Sequence, residues 1–290
     1  GSADAEPEDV RPLRFAGNLL YLERYWRQER VVARWVDAAI AESGRGTSPG
    51  GETDPALAAT LDRLFPAAEQ DDLQRRAVEV AATHRFSIIA GGPGTGKTWT
   101  VARLLAALQS HAQSGAGSRL RVALAAPTGK AAARLAESIG AAAAEARFPA
   151  QDRAHVEGLT ATTLHRLLGA RPGTSRFTFD RSNRLPHDVV VVDEASMVSL
   201  TLMSRLMDAL RPDCRLVLVG DPDQLASIEV GAVLGDLVAR PGTPVVRLEV
   251  MHRFSETTDI PALAAAIRTG DPARVDVAVR GRGIEFIPVD

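Results

Sequence analysis

Gly91-Gly92-Pro93-Gly94-Thr95-Gly96-Lys97-Thr98 fits the pattern G-x-x-x-x-G-K-[ST] at every position. Glycines let backbone amides approach phosphate oxygens without obstruction by a Cβ. A helix opening at Thr98 aims its free N–H groups and the positive end of its dipole at the same anion. In such a loop Gly92, Pro93, Gly94, Thr95 and Gly96 form the cradle, Lys97 brings a compact ammonium to the β- and γ-phosphates, and Thr98 offers a hydroxyl to Mg²⁺. A glycine-rich turn with a surface lysine is the plain alternative. Against it stand the strand-like run Ser87 to Ala90 before the loop and the helical pattern Thr98 to Leu108 after it.

A second cluster follows about a hundred residues on. Val189-Val190-Val191-Val192 runs directly into Asp193-Glu194. Ligands of open α/β sheets collect beyond the carboxyl ends of the strands. Asp193 is therefore placed to hold Mg²⁺, directly or through water, and Glu194 to polarise an attacking water as general base. Taken alone, Asp193 could equally cap a helix. A base beside the metal acid suits a protein that hydrolyses ATP to drive movement better than it suits a kinase or a regulatory GTPase. A guanine reader of the form Asn-Lys-x-Asp is absent, because the lysines stand only at Lys97 and Lys130. A third apolar run, Leu216 to Val219, ends in Gly220-Asp221-Pro222-Asp223-Gln224, where Gln224 can reach a γ-phosphate; alone, such Asp-Pro turns are commonplace.

These residues need a frame to bring them together. Ser87 to Ala90, Val122 to Ala126, Val189 to Val192, Leu216 to Val219 and Val245 to Leu248 are apolar runs too short for buried helices, and helical patterns separate them. They read as strands buried on both faces of a parallel sheet with helices on either side. Upstream, helical spacing predicts a helix from about Asn18 to Ser43, with Trp26 and Trp35 on its packed face. A Gly/Ser/Pro-rich linker follows, then helices over about Pro55 to Phe65 and Asp71 to Thr83. Alternation in Arg176 to Asp180 before Ser182-Asn183 suggests a small surface hairpin.

Composition bounds the possibilities. The 290 residues suffice for one large α/β domain and a smaller appendage, and a 45% apolar, 24% charged chain is that of a globular protein. No apolar run approaches the roughly 18 residues of a membrane span. The single cysteine, Cys214, can form neither an internal disulfide nor a metal cluster, so a reduced, cytoplasmic setting is expected. A net charge of −2 does not announce nucleic acid, although it leaves room for a local basic groove. Of 34 lysines and arginines only Lys97 and Lys130 are lysine, and both lie in motifs.

The order of motifs resembles that of superfamily 1 DNA helicases, most closely the RecD subunits of RecBCD-type (exodeoxyribonuclease V) helicase–nucleases. The resemblance is carried by Gly91 to Thr98, Ala125 to Leu135, Thr163 to Gly169, Val192 to Met197, Gly220 to Ser227 and Arg253-Phe254, and spans about Gln74 to Asp290. It extends more loosely over Leu20 to Trp35. It implies a RecA-like P-loop NTPase sheet preceded by a small helical region, with residues 1–66 as an incomplete N-terminal region and linker and 67–290 as the first motor domain. The second motor domain of that family is not found within the 290 residues. It further implies ATP and Mg²⁺ as ligands, 5′→3′ movement on single-stranded DNA, RecB and RecC as partners, and double-strand-break repair as the process.

Carried over by position, Gln74 matches the adenine-reading glutamine, Gln224 the γ-phosphate sensor, and Arg253 an arginine that stabilises transferred charge. Thr128, Lys130, Thr163 and His165 match positions near the DNA strand. The residues themselves allow this: Pro127 to Lys130 links a strand to a helix, and its hydroxyl, amides and ammonium can hold a backbone phosphate, though a plain helix cap would look the same. His165 could as well be a packed helix residue. His252 stands where relatives often carry tyrosine, and bulky Trp99 directly follows the phosphate loop. The alternative to a motor half is a module that binds nucleotide only to stabilise assembly, without independent helicase activity.

Overall fold

The structure is a computed structural model that describes residues 12–43, 54–66, 72–115, 117–145, 148–171, 173–174, 176–224, 233–249, 263, 266–267, 270–281 and 284. Its centre is a six-stranded sheet. In chain order the strands are β3 (Phe86–Gly91), β4 (Val122–Ala126), β5 (Ala161–Thr163), β6 (Val189–Val192), β7 (Arg215–Gly220) and β8 (Val245–Leu248). They lie side by side as β5-β4-β6-β7-β3-β8, and every neighbouring pair is parallel. All six carboxyl ends therefore open on one edge. The phosphate loop leaves β3, Asp193 leaves β6, and β7 lies between them.

The period of two along each strand divides the core. Ile88, Val190, Val192, Leu216 and Leu218 face one apolar cluster with α1 (Glu23–Ser43) and α8 (Leu200–Ala209). Ile89, Val189, Val191, Val217 and Val219 face the other, covered by α2 (Pro55–Leu64), α3 (Asp72–Thr83), α4 (Lys97–Gly115), α5 (Gly129–Ala144) and α6 (Ala150–Val156). The four valines of β6 are all buried, as a strand covered on both faces requires. Local signals set the helix starts. Asp54 accepts from Ala56 N at 2.8 Å ahead of Pro55, and Ser199 accepts from Leu202 N at 3.4 Å. Short helices α7 (Leu164–Leu167), α9 (Val233–Ala239) and α10 (Pro272–Ala278) complete the described set.

The N-terminal region departs from its sequence pattern. Residues 13–22 do not extend the helix. They form an antiparallel hairpin of β1 (Leu13–Ala16) and β2 (Leu19–Leu22), with Leu13 opposite Leu22 and Phe15 opposite Leu20. Gly17 takes φ 61° in the two-residue turn, a conformation that suits glycine and reverses the chain. A four-residue apolar run fits a strand as well as a helix, and the turn decides.

Helix α1 then packs Val32, Val36 and Ala39 into the sheet's own core, and ion pairs Arg85–Glu42 and Arg240–Asp37 hold its far end. Trp35 packs as expected, edge-on to Phe86 at 5.8 Å. Trp26 does not: its ring lies between the guanidinium groups of Arg14, at 4.0 Å, and Arg30, at 4.7 Å. The predicted surface hairpin at Arg176 to Asp180 reduces to one bridge, Ala170 to Phe177, before a turn in which Asp180 accepts from Ser182 N and Asn183 N. Among the described residues no helix is long and apolar enough to cross a membrane.

Candidate nucleotide and DNA site

The loop between β3 and α4 is shaped by its glycines. Gly94 and Gly96 take φ 78° and 85°, a region that costs other residues about 1–2 kcal/mol. A Cβ on Gly96 would also stand 2.5 Å from Gln74 Nε2, and one on Gly91 would meet Thr95 Oγ1 at 2.6 Å. The loop is closed from inside. Thr95 Oγ1 donates to the Gly92 carbonyl at 2.9 Å, and Lys97 Nζ donates to the Gly91 and Gly92 carbonyls at 2.6 and 2.8 Å. Gln74, on α3, donates from Nε2 to the Thr95 carbonyl at 3.5 Å, and its buried Oε1 has no hydrogen-bond partner among the described residues.

Asp193 follows β6 directly, its N–H donating to the Ala125 carbonyl at 2.9 Å. Burial raises its carboxyl above the ordinary range, and the neighbouring Glu194 charge adds to this. The Glu194 N–H and the Lys97 ammonium pull the other way. Asp193 and the Lys97 loop lie at the same end of the sheet, with β7 between their strands, although they are almost a hundred residues apart in sequence. Glu194 has φ 50° and ψ 40°; among the described residues it is the non-glycine position with positive φ. The chain turns there into a 3₁₀ segment, Ala195–Met197. Gly220, at the end of β7, makes room for it: a Cβ would lie 3.1 Å from Ala195 N and 3.3 Å from Ser196 N.

Gln224 Oε1 lies 3.4 Å from Ser196 Oγ, which links the β7 turn to the acid pair. Asp221 went unassigned in the sequence. It is buried, accepts from Asp223 N at 3.0 Å, and its Oδ2 would lie 3.8 Å from a Cβ on Gly92. Its signal was its place, the first residue past a strand at the phosphate-loop edge. With Thr98 and Asp193 the edge offers hard oxygen donors, the ligand type that Mg²⁺ takes. The glycine-rich cradle and these oxygens fit a magnesium–nucleotide.

The remaining candidates occupy the other half of the same edge. β4 and β5 are paired with Ala126 opposite Thr163. Thr128 caps α5, accepting from Ala131 N at 3.2 Å, and Thr163 caps α7, accepting from Arg166 N at 3.2 Å. Both hydroxyls keep a proton to donate. Lys130 is exposed in the first turn of α5. His165 is exposed too and stacks at a tilt on Phe177, with 6.0 Å between centroids. Arg253 and His252 lie outside the described residues.

A model of the AAA domain family matches residues 74–230. That stretch begins at Gln74 and contains every candidate residue except Arg253. The chain is 51% identical over 282 residues to the RecBCD enzyme subunit RecD of Mycolicibacterium smegmatis, covering 96% of this chain and 48% of that protein. It is 54% identical over 275 residues to the RecBCD enzyme subunit RecD of Mycobacterium tuberculosis H37Rv, covering 93% and 45%. To the ATP-dependent RecD2 DNA helicase of Deinococcus radiodurans it is 34% identical over 252 residues, covering 87% and 30%. The chain thus spans about half the length of the mycobacterial relatives it matches.

Proposed function

The chain belongs to the AAA domain family, and we propose that it is the first motor domain of a RecD-type subunit, an ATP-driven 5′→3′ DNA helicase of a RecBCD-like helicase–nuclease. The observation that carries this reading is that the Lys97 loop and Asp193 follow the carboxyl ends of β3 and β6, parallel strands with only β7 between them. On this reading residues 67–290 are the motor domain and 1–66 the N-terminal region, whose helix α1 packs on the same core. The partners are single-stranded DNA and RecB- and RecC-like subunits, and the setting is the cytoplasm.

The roles follow from the chemistry of the groups. Gln74 reads the base with its Oε1, which has no partner among the described residues. Gly92 to Gly96 turn their amides towards the phosphates, and Lys97 neutralises charge on the β- and γ-oxygens. Thr98 and Asp193 hold Mg²⁺, which when bound supplies charge neutralisation on the transferring phosphoryl group. Asp193 ligates as a carboxylate, so a cation offsets the burial that raises its proton affinity. Glu194 accepts the proton of the attacking water, and Gln224 senses the γ-phosphate through its link to Ser196. Arg253 is assigned the charge-stabilising role by its match to the motif. Thr128, Lys130, Thr163 and His165 hold the backbone of single-stranded DNA.

ATP turnover by the full-length protein, with and without single-stranded DNA, tests this. Turnover should rise several-fold with DNA and be lost on Lys97→Gln. A Lys97→Gln protein that hydrolyses ATP at the wild-type rate would contradict the assignment.

A further inference from the structure

Trp99 directly follows Thr98, the proposed magnesium ligand, and is only 5% exposed. Its ring packs edge-on to Phe65 at 6.4 Å, beneath the buried guanidinium of Arg103 at 2.9 Å. Its Nε1 donates to Glu145 Oε2 at 3.3 Å. Glu145 is the C-cap residue of α5, the helix whose other end carries the Thr128 cap and Lys130. A 16-residue helix is a rod of about 24 Å. One rod therefore joins the predicted DNA contacts, at its N-terminus, to the residue next to the metal ligand.

The helix packing alone does not require this bond. α5 already buries Leu135, Ile139, Ala142 and Ala143 in the core. Glu145 itself, the C-cap residue, is solvent-exposed and accepts from the indole. A buried tryptophan needs a partner for its N–H, but a carbonyl or a serine would serve. A carboxylate at the end of the DNA-side helix makes the position of Trp99 depend on the position of α5.

We propose that Trp99 and Glu145 are positioning residues that transmit DNA engagement at the N-terminus of α5 to Thr98 and the phosphate loop. The proposal rests on the reading of Thr128 and Lys130 as DNA contacts. A phosphate gripped there moves α5 as a body, and the indole carries that movement into the first turn of α4. Neither residue is among the nucleotide or DNA candidates, so their removal uncouples the two sites without emptying either.

The test uses the full-length protein with Trp99→Phe, Glu145→Ala and Glu145→Gln. ATP turnover is measured without DNA and at saturating oligo(dT), and oligo(dT) affinity by fluorescence anisotropy. Trp99→Phe and Glu145→Ala should lower the DNA-stimulated to unstimulated ratio by roughly fivefold, a size expected of a coupling residue. Turnover without DNA and oligo(dT) affinity should stay within about twofold, below the range of such a coupling. Glu145→Gln, whose amide oxygen still accepts from the indole, should keep most of the stimulation. Should Trp99→Phe fail to fold, the exposed Glu145 pair carries the test. Full stimulation in Glu145→Ala, or an equal fall in both turnover rates, overturns the coupling. Lys130→Ala separates the underlying reading: if it binds oligo(dT) as tightly as wild type, the DNA edge is wrongly assigned, whatever Trp99 does.

Discussion

Glu194 holds a left-handed backbone conformation that costs a non-glycine residue on the order of 1–3 kcal/mol. Such a conformation persists where the surroundings fix it, and here Gly220 is part of that surrounding. Gly220→Ala would bring a Cβ to 3.1 Å from Ala195 N and 3.3 Å from Ser196 N. These are backbone atoms of the turn that aims Glu194, so the turn must shift by a few tenths of an ångström. Small misplacements of a catalytic base lower turnover more than binding. In the full-length enzyme Gly220→Ala should lower kcat for ATP by about tenfold, with KM changed less than about threefold. An unaltered kcat would show that the base does not depend on this contact. At this scale the sequence was informative where a residue type has one use. The glycines, Lys97 and the acid pair suggest a phosphate site from their types alone, and the sheet sets their strands at one edge. Asp221 and the partner of Trp99 did not, because an aspartate or a tryptophan fits many settings and its neighbours come from distant segments.

At the scale of elements, the central strands were legible because burial on both faces leaves unbroken apolar runs such as Val189–Val192. Of the two edge strands, β8 was legible as the run Val245–Leu248 and β5 was not. β5 is only Ala161–Thr163, half-buried and partly polar, so nothing marks it as a strand until β4 pairs with it. The strand β2 was read as the start of the helix from about Asn18, because the decisive feature of the hairpin, the positive φ of Gly17, is a backbone property. What fixes that hairpin is Glu23, which accepts from Arg14 Nε and Arg27 Nε, each at 2.7 Å. The Arg14 guanidinium, and after it that of Arg27, hold the Glu23 carboxyl down at about 2, against 4.5 ordinarily. A depressed carboxyl stabilises the fold above its unfolded value and loses that effect as pH falls through its folded value. Hydrogen-exchange protection of the Leu13–Leu22 amides, corrected for intrinsic rates, should hold at about pH 5 and decline towards about pH 2. Glu23→Gln should be poorly protected already at the higher pH. Equal protection in the two proteins would show that the hairpin is held by something else.

At the scale of the whole molecule, one parallel sheet turns separate motifs into one edge. The order β5-β4-β6-β7-β3-β8 sets the phosphate loop, the Gln224 turn and the acid pair on adjacent strands, with the DNA candidates beyond them. Motif order along the chain suggested this architecture, but strand order is a consequence of pairing and could not be read from it. The central claim is that Lys97 and Asp193 serve one magnesium–nucleotide. It is tested most directly by titrating the 290-residue protein with a fluorescent ATP analogue, with and without Mg²⁺. Wild type should bind more tightly with Mg²⁺, Lys97→Gln should bind at least about tenfold more weakly, and Asp193→Asn should lose the gain from Mg²⁺. If both variants bind as wild type does and keep its response to Mg²⁺, the two residues do not share a nucleotide site.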